Sequence, residues 1–178
     1  MEDEVDRIVD AWQRERPDLD PAPLQVFSRI SRLARHLELA RRAAFASRGL
    51  EPWAFDVLSA LRRAGAPYEL TPGVLHSQTL VSSGTMTNRI DRLAAAGLVE
   101  RHDEPKDRRV VVVRLTEPGV EAVDAAMSDL LDRESALLAD LGEDDRVALT
   151  EGLRSLMRPF DGAGPSASAG QVVGGETA

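Results

Sequence analysis

Apolar side chains recur every three or four positions along the first third of the chain, which is the spacing of amphipathic helices. Proline and glycine interrupt this pattern at three points, where helices are expected to end. The pattern therefore predicts three helices: an N-terminal extension over residues 2–16 that Pro17 ends, a long helix over about 22–48 closed by Gly49, and a helix opened by Pro52 that stops before residues 65–67.

Two short helices are predicted next, joined by a tight turn over about residues 71–97. Thr71 precedes a proline and has the character of an N-cap, and Ser82 or Ser83 has the same character for the second helix. Gly97 then suits the left-handed position just after a helix end. Two short helices in this arrangement predict a helix-turn-helix.

The segment from about 98 to 115 has the composition of a β-hairpin. A short apolar and charged run over 98–101 leads into a polar loop over 102–109, and the β-branched run 110–115 follows. A charged hairpin directly after a helix-turn-helix is typical of a DNA-binding wing.

The last third of the chain is again helical in pattern. Thr116 is expected to cap a long helix, which Gly142 ends, and a final helix over about 143–160 follows. The apolar seam of the long helix is too extensive for a solvated surface and comprises Val120, Val123, Met127, Leu130, Leu131, Leu137 and Leu138.

These elements predict a mostly α-helical winged helix-turn-helix fold with a small β-hairpin wing. The expected domain covers residues 21–160, with long dimerisation helices at about 22–48 and 117–160. An extension over 1–20 precedes it. The tail over 161–178 is rich in Gly, Ala and Ser and is predicted to be disordered.

The charge distribution favours nucleic-acid binding although the net charge is −8. The segment from Ser82 to Arg114 contains seven basic and five acidic residues, so its charge is +2 and the rest of the chain carries −10. A basic surface on an otherwise acidic protein can bind DNA phosphates, while the acidic remainder repels them.

Other function classes find little support in the composition. Without cysteine there is no disulfide framework, thiolate metal site or thiol redox switch. The three histidines, His36, His76 and His102, have no metal-ligand spacing and no neighbouring nucleophile, so no metal, cofactor or enzyme activity is predicted, and His76 has no functional explanation. The acidic start and the lack of a long apolar run predict a cytoplasmic protein without membrane contact.

In the second helix of the helix-turn-helix, polar residues alternate with the apolar Met86 and Ile90. Their hydroxyls and guanidinium are suited to base edges and phosphates, and Ser82 can direct helix N-terminal amides to a phosphate. The candidate DNA contacts are Ser82, Ser83, Thr85, Thr87, Arg89, Arg92, Lys106, Arg108 and Arg109. Taken alone, the charged wing is equally compatible with simple solvation.

The same segments closely resemble the multiple antibiotic resistance regulator (MarR) family. The matching motifs, in chain order, are SSGTMTNRIDRL at 82–93, AGLVER at 96–101, DRR at 107–109 and RLT at 114–116. The resemblance implies a homodimer joined by its first and last helices. It also matches the family's wing pattern, in which an acidic residue, here Asp107, stands two positions before the tip arginine, here Arg109. A narrow minor groove attracts such an arginine.

A second resemblance, to the urate-responsive branch of this family, concerns a ligand. That branch carries a tryptophan in the extension helix, an aspartate in the second core helix and arginines in the recognition helix and first wing strand; this chain has Trp12, Asp56, Arg89 and Arg101 there. The resemblance implies that Trp12 and Arg101 would bind a flat anionic purine. The bound anion would displace Asp56 from an interaction with Arg89, and the recognition helix would move as a result. The alternative is that Trp12 is simply a packing anchor.

The sequence thus favours a DNA-binding transcriptional regulator, a homodimeric repressor on a pseudopalindromic operator that a small anionic aromatic ligand, such as urate, releases. The alternative is a winged-helix DNA-binding or protein-interaction module without an effector.

Overall fold

The computed structural model describes residues 2–79, 81–104 and 107–160, with only the backbone described at 104 and 107–110. The predicted tail, residues 161–178, lies outside the described residues. Within these ranges the elements follow in the order α1 Glu4–Glu15, α2 Ala22–Ala46, α3 Pro52–Arg63, β1 Glu69–Leu70, α4 Pro72–Thr79, α5 Ser83–Ala95, β2 Val99–Glu104, β3 Asp107–Leu115, α6 Glu117–Leu137 and α7 Glu143–Met157.

The ends of these helices have local causes that the sequence predicts. Helix α3 begins at Pro52, and α5 is capped by Ser82, whose side-chain oxygen accepts a hydrogen bond from the Thr85 amide at 3.3 Å. Thr116 caps α6 in the same way through the Gly119 amide at 3.1 Å. Gly97, after α5, has a φ of 71°, which a side chain at this position would disfavour.

The core lies where α3, α4, α5 and α6 meet the sheet. Its largest fully buried side chains include Phe45, Leu58, Leu61, Met86 and Ile90. The Phe45 and Phe55 rings stack with centroids 4.1 Å apart, which fixes α2 against α3. Helix α5 therefore lies on a close-packed support.

The sheet contains one strand more than the predicted hairpin. Strands β2 and β3 pair antiparallel, and the two-residue strand β1 adds to the other edge of β3, with Glu69 opposite Arg114. Two residues are too few to show a strand periodicity, so only the tertiary structure defines β1. The predicted fold class, mostly helical with a small winged sheet, is confirmed.

Helix α1 is fastened to α2 by both apolar and ionic contacts. Val5 and Val9 are buried, and the Arg29 guanidinium lies 2.8 Å from carboxylate oxygens of both Asp3 and Asp6. Asp3 and Asp6 also form a capping box at the start of α1. The extension helix α1 is thus packed against the rest of the described structure through α2.

The C-terminal helices expose much of their apolar surface. On α6, Val123 and Leu130 are buried, but Leu131 and Leu137 are more than half exposed. Helix α7 has no buried residue. Of the described helices, none combines the length and the apolar character that crossing a bilayer requires.

Candidate nucleic-acid interface

Helix α5 separates a buried face from an exposed polar face. Met86, Ile90 and Leu93 are buried at helical spacing. The candidate contact residues on the other side, Ser82, Ser83, Thr85, Thr87 and Arg92, are exposed, and Arg89 is half-buried. The helix therefore offers hydroxyls and guanidinium groups to the solvent from a rigid support, as a groove-reading helix requires.

The hydroxyl groups of α5 are partly engaged by the helix itself. The Ser82 and Thr85 side-chain oxygens lie 2.8 Å apart, and Thr87 donates its hydroxyl hydrogen to the Ser83 carbonyl at 3.1 Å. A hydroxyl retains acceptor capacity after donating one bond. These contacts thus orient the side chains and leave the hydroxyl oxygens with capacity to accept further hydrogen bonds.

One flank of α5 packs against the start of α3. The Arg92 guanidinium lies 3.1 Å from Glu51 and 4.6 Å from the Trp53 ring centroid, while Arg89 lies 5.6 Å from that centroid. The Trp53 indole N–H and the Arg92 guanidinium both donate to the Glu51 carboxylate and hold the pKa of this group below its ordinary value. An open cleft of about 530 Å³, which Gly84, Thr85 and Asn88 also line, runs between these elements. Sequence reasoning missed Glu51 and Trp53 here.

The other flank of α5 is tied to the first wing strand. Arg101 on β2 lies 2.6 Å from Asp91 and donates to the Thr87 carbonyl at 3.4 Å. Because both acceptors belong to α5, Arg101 links the orientation of the wing to that of the recognition helix.

Ionic contacts across the sheet brace the base of the wing. Arg114 on β3 lies 2.6 Å from the Glu69 carboxylate on β1, and its guanidinium lowers the pKa of this carboxyl group. His102 on β2 approaches the same carboxylate at 3.1 Å. The candidate residue Lys106 lies outside the described residues, as do the side chains of Arg108 and Arg109.

A close contact joins the recognition helix to α6. Thr116 donates its hydroxyl hydrogen to the Gly97 carbonyl at 2.6 Å and its amide hydrogen to the Leu98 carbonyl at 3.2 Å. Gly119 lies so near this turn that a Cβ atom would come within 2.0 Å of the Leu98 oxygen. The end of α5 and the start of α6 are therefore positioned as one unit.

The four candidate ligand residues have different partners in the structure. Trp12 is 48% exposed and lines a surface hollow of α1 with Ile8, Ala11 and Glu15. Arg89 faces Trp53 and Arg101 pairs with Asp91, as described above. Among the ion pairs of the described residues, Asp56 contacts Arg41 at 3.6 Å and not Arg89 as hypothesised. The half-exposed Trp12 is not a fully buried packing anchor.

A wide apolar groove separates α2 from α7. It has a volume of about 610 Å³, and its walls comprise Val26, Ile30 and Leu33 on α2 and Leu149, Leu153 and Leu156 on α7. An exposed apolar groove of this kind is a candidate surface for association with another molecule.

A helix-turn-helix on a packed core, followed by a two-stranded wing, defines the winged helix-turn-helix class of DNA-binding proteins. The family model described as MarR family matches residues 48–110. The transcriptional regulator PecS of Dickeya dadantii is 34% identical over 146 residues, which cover 82% of this chain and 88% of PecS. The chain belongs to the MarR family of transcriptional regulators.

Two further comparisons agree with this assignment. The repressor NicR of Pseudomonas putida is 29% identical over 150 residues, 82% of this chain and 93% of NicR. A crystal structure of mutant MarR from E. coli complexed with operator DNA shares the fold, with a TM-score of 0.61 and 24% identity over 82% of this chain and 97% of that one. As a member of this family, the chain is a transcriptional regulator.

Proposed function

We propose that the protein is a homodimeric repressor that binds a pseudopalindromic operator and is released by a small anionic aromatic ligand, with a urate-like purine as the leading candidate. In each protomer α5 enters the major groove, and Arg109 at the wing reaches the adjacent minor groove. The DNA contacts are those predicted from the sequence, from Ser82 to Arg109.

The observation that carries this proposal is the division of α5 into a buried apolar face and an exposed polar face. The three buried residues of α5 hold the helix rigidly, so the exposed hydroxyls and guanidinium groups are presented in one fixed arrangement. Fixed donors and acceptors are what base-edge recognition requires, whereas a protein-interaction module would be expected to expose apolar anchors on this face.

The exposed apolar surface of α2 and α7 supports the homodimer. A second copy would cover the groove, and dimerisation would place two recognition helices on half-sites about one DNA turn apart. A single short helix reads too few base pairs for strong specific binding, so the second half-site supplies the missing affinity.

The DNA-binding part of the proposal is tested by selecting duplexes from a random library with the purified protein. We expect the selected duplexes to contain two related half-sites, and affinity for them to fall steeply as salt increases because phosphate contacts release counterions. Selection of no duplex above background would refute the operator proposal.

Replacing Arg109 by alanine is expected to weaken binding to the selected operator by about 1–3 kcal/mol and to leave the dimer intact. The loss should be largest on operators with a narrow, A·T-rich minor groove beside the half-site, because that groove attracts arginine. Fluorescence anisotropy titrations of the two proteins measure the effect. Unchanged affinity of the variant on every selected duplex would remove Arg109 from the interface.

The ligand part of the proposal rests on Trp12 and Arg101. The half-exposed indole can stack on a flat aromatic anion, and the guanidinium of Arg101 can pair with its charge. Arg101 already pairs with Asp91 on the recognition helix at 2.6 Å. An anion that competes for Arg101 would loosen the wing from α5, and a charge near Asp56 would disturb its pairing with Arg41. Both effects would couple the ligand to DNA binding.

Urate is expected to bind the free protein, quench tryptophan fluorescence and weaken operator binding over the same concentration range. Because coupling is reciprocal, urate should also bind the DNA-bound dimer about 5–150-fold more weakly. Trp12→Phe should reduce the quenching and the affinity, and it distinguishes Trp12 from Trp53, the other tryptophan. Asp56→Asn should retain urate binding but blunt DNA release.

The alternative, a winged-helix module without a small-molecule effector, predicts a different result in the same experiment. Saturating urate would then change neither the fluorescence nor the operator affinity. Because the DNA contacts and the candidate ligand contacts overlap only at Arg89, such a result would leave the operator proposal standing.

A further inference from the structure

Two arginines of the recognition helix lie over one tryptophan that precedes them by more than thirty residues. The Trp53 ring faces Arg92 at 4.6 Å and Arg89 at 5.6 Å, measured from each Cζ to the ring centroid. Glu51 completes the arrangement, because one carboxylate oxygen accepts from Arg92 at 3.1 Å and the other accepts from the Trp53 indole N–H. We call Glu51 and Trp53 the arginine platform.

The ion pair between Glu51 and Arg92 contributes little to holding the fold together, whereas Trp53 also packs against the edge of the core. The side chains of Arg92 and Glu51 are 56% and 58% exposed, and ion pairs at such exposure stabilise proteins weakly. The position of α5 is already fixed by its buried residues Met86, Ile90 and Leu93. What the platform does determine is the position of the Arg92 guanidinium, which lies over the indole and donates to the Glu51 carboxylate.

A fixed guanidinium is an advantage only if it has a partner outside the protein. Arginine carries five N–H donors, and the contact with Glu51 uses one of them. Ordering a free arginine at an interface costs side-chain entropy, which a side chain already held in place does not lose on binding. The cleft beside Arg92 is open and is lined by Gly84, Thr85 and Asn88 on the exposed side of α5.

We infer that Glu51 and Trp53 are positioning residues of the DNA interface, which hold Arg92 so that its remaining donors meet a backbone phosphate beside the major groove. The inference rests on the proposed operator contact by α5. The sign of the expected effect is unusual. Removing an acidic side chain near DNA ordinarily strengthens binding because it removes repulsion from phosphate; removal of Glu51 is expected to weaken it.

A double-mutant cycle between Glu51→Ala and Arg92→Ala tests this inference on duplexes selected by the wild-type dimer. We expect Glu51→Ala to weaken binding about threefold to tenfold in the wild-type background and less than twofold in the Arg92→Ala background. The slope of log affinity against log salt should be smaller in magnitude by about 1.8 in Arg92→Ala, because the dimer loses one phosphate contact in each protomer. It should be unchanged in Glu51→Ala, which loses only the orientation of the Arg92 side chain.

Matched variants separate positioning from general effects of charge and folding. Glu121→Ala removes an exposed acidic side chain from α6 and should not weaken binding. Trp53→Phe keeps an aromatic face for both arginines and should bind DNA more tightly than Trp53→Leu. Equal urea midpoints for the variants of Glu51 and Arg92 would show that the fold is intact.

Equal weakening of DNA binding by Glu51→Ala in both backgrounds, or tighter binding, overturns the inference. Unchanged affinity of Arg92→Ala would also overturn the inference, but it would leave the operator proposal standing. The operator proposal fails only if the wild-type dimer selects no duplex.

Discussion

Replacing Leu153 by aspartate is expected to yield a folded monomer whose affinity for a two-half-site operator is lower by about a hundredfold or more. Leu153 lines the apolar groove between α2 and α7. A carboxylate there would be desolvated in the proposed dimer without a partner, which strongly disfavours association. The loss on DNA is large because each protomer would then bind its half-site without the high effective concentration that the partner provides.

The domain itself should survive this substitution, because Leu153 is exposed and α7 contributes nothing to the buried core of the described chain. Light scattering coupled to size exclusion measures the mass, and titration of one-half-site and two-half-site duplexes measures the coupling. Val147→Asp is the matched control, since Val147 is an exposed valine of α7 that does not line the groove. A dimeric Leu153→Asp protein with full affinity would exclude this groove from the interface.

Replacing Gly119 by alanine is expected to destabilise the protein by about 3 kcal/mol or more. The added Cβ would lie 2.0 Å from the Leu98 oxygen, a distance that real Cβ contacts do not reach, and 3.0 Å from the Leu98 carbonyl carbon. The obstacle is backbone and not a flexible side chain, so the start of α6 and the turn after α5 must separate. For a chain of this size the melting temperature should fall by roughly 6–12 °C.

Gly84→Ala is the control for this experiment. Gly84 also lies in a helix, but a Cβ there meets no atom within 4 Å, so alanine should stabilise α5 by up to about 1 kcal/mol. Urea unfolding at equal protein concentration compares the two variants, because the stability of a dimer depends on concentration. A Gly119→Ala protein as stable as the wild type would show that the α5–α6 junction is not rigid.

Helix α6 would link the geometry of the proposed dimer to the position of the recognition helix. Helix α6 begins at the junction with α5 and, through Leu131 and Leu137, ends with exposed apolar side chains. A shift of α6 would therefore move Gly97 and Leu98, at the end of the recognition helix, through the Thr116 hydrogen bonds. The spacing of the two recognition helices would follow from the packing of α6 in the proposed dimer.

Local chemistry in the sequence was sufficient to identify most elements. Hydrophobic periodicity, the prolines at helix starts and the caps at Ser82 and Thr116 act within a few residues of where they stand. The motifs of α5 and the wing led to the family, which the comparison with PecS confirms. The polar face of α5 could also be predicted, because burial of Met86 and Ile90 dictates which residues point outward.

Contacts between residues far apart in the chain were decided only by the tertiary structure. Strand β1 exists because Glu69 meets Arg114 across 45 positions, and its two residues carry no pattern of their own. The contacts of Trp53 could not be predicted, because no local pattern around it indicates that two arginines of α5 lie over its ring. The pairing of Asp56 with Arg41 has the same origin. Periodicity and capping depend on residues close together in the chain, so the sequence alone predicts them. The partner of an exposed charge depends instead on which elements the core brings together.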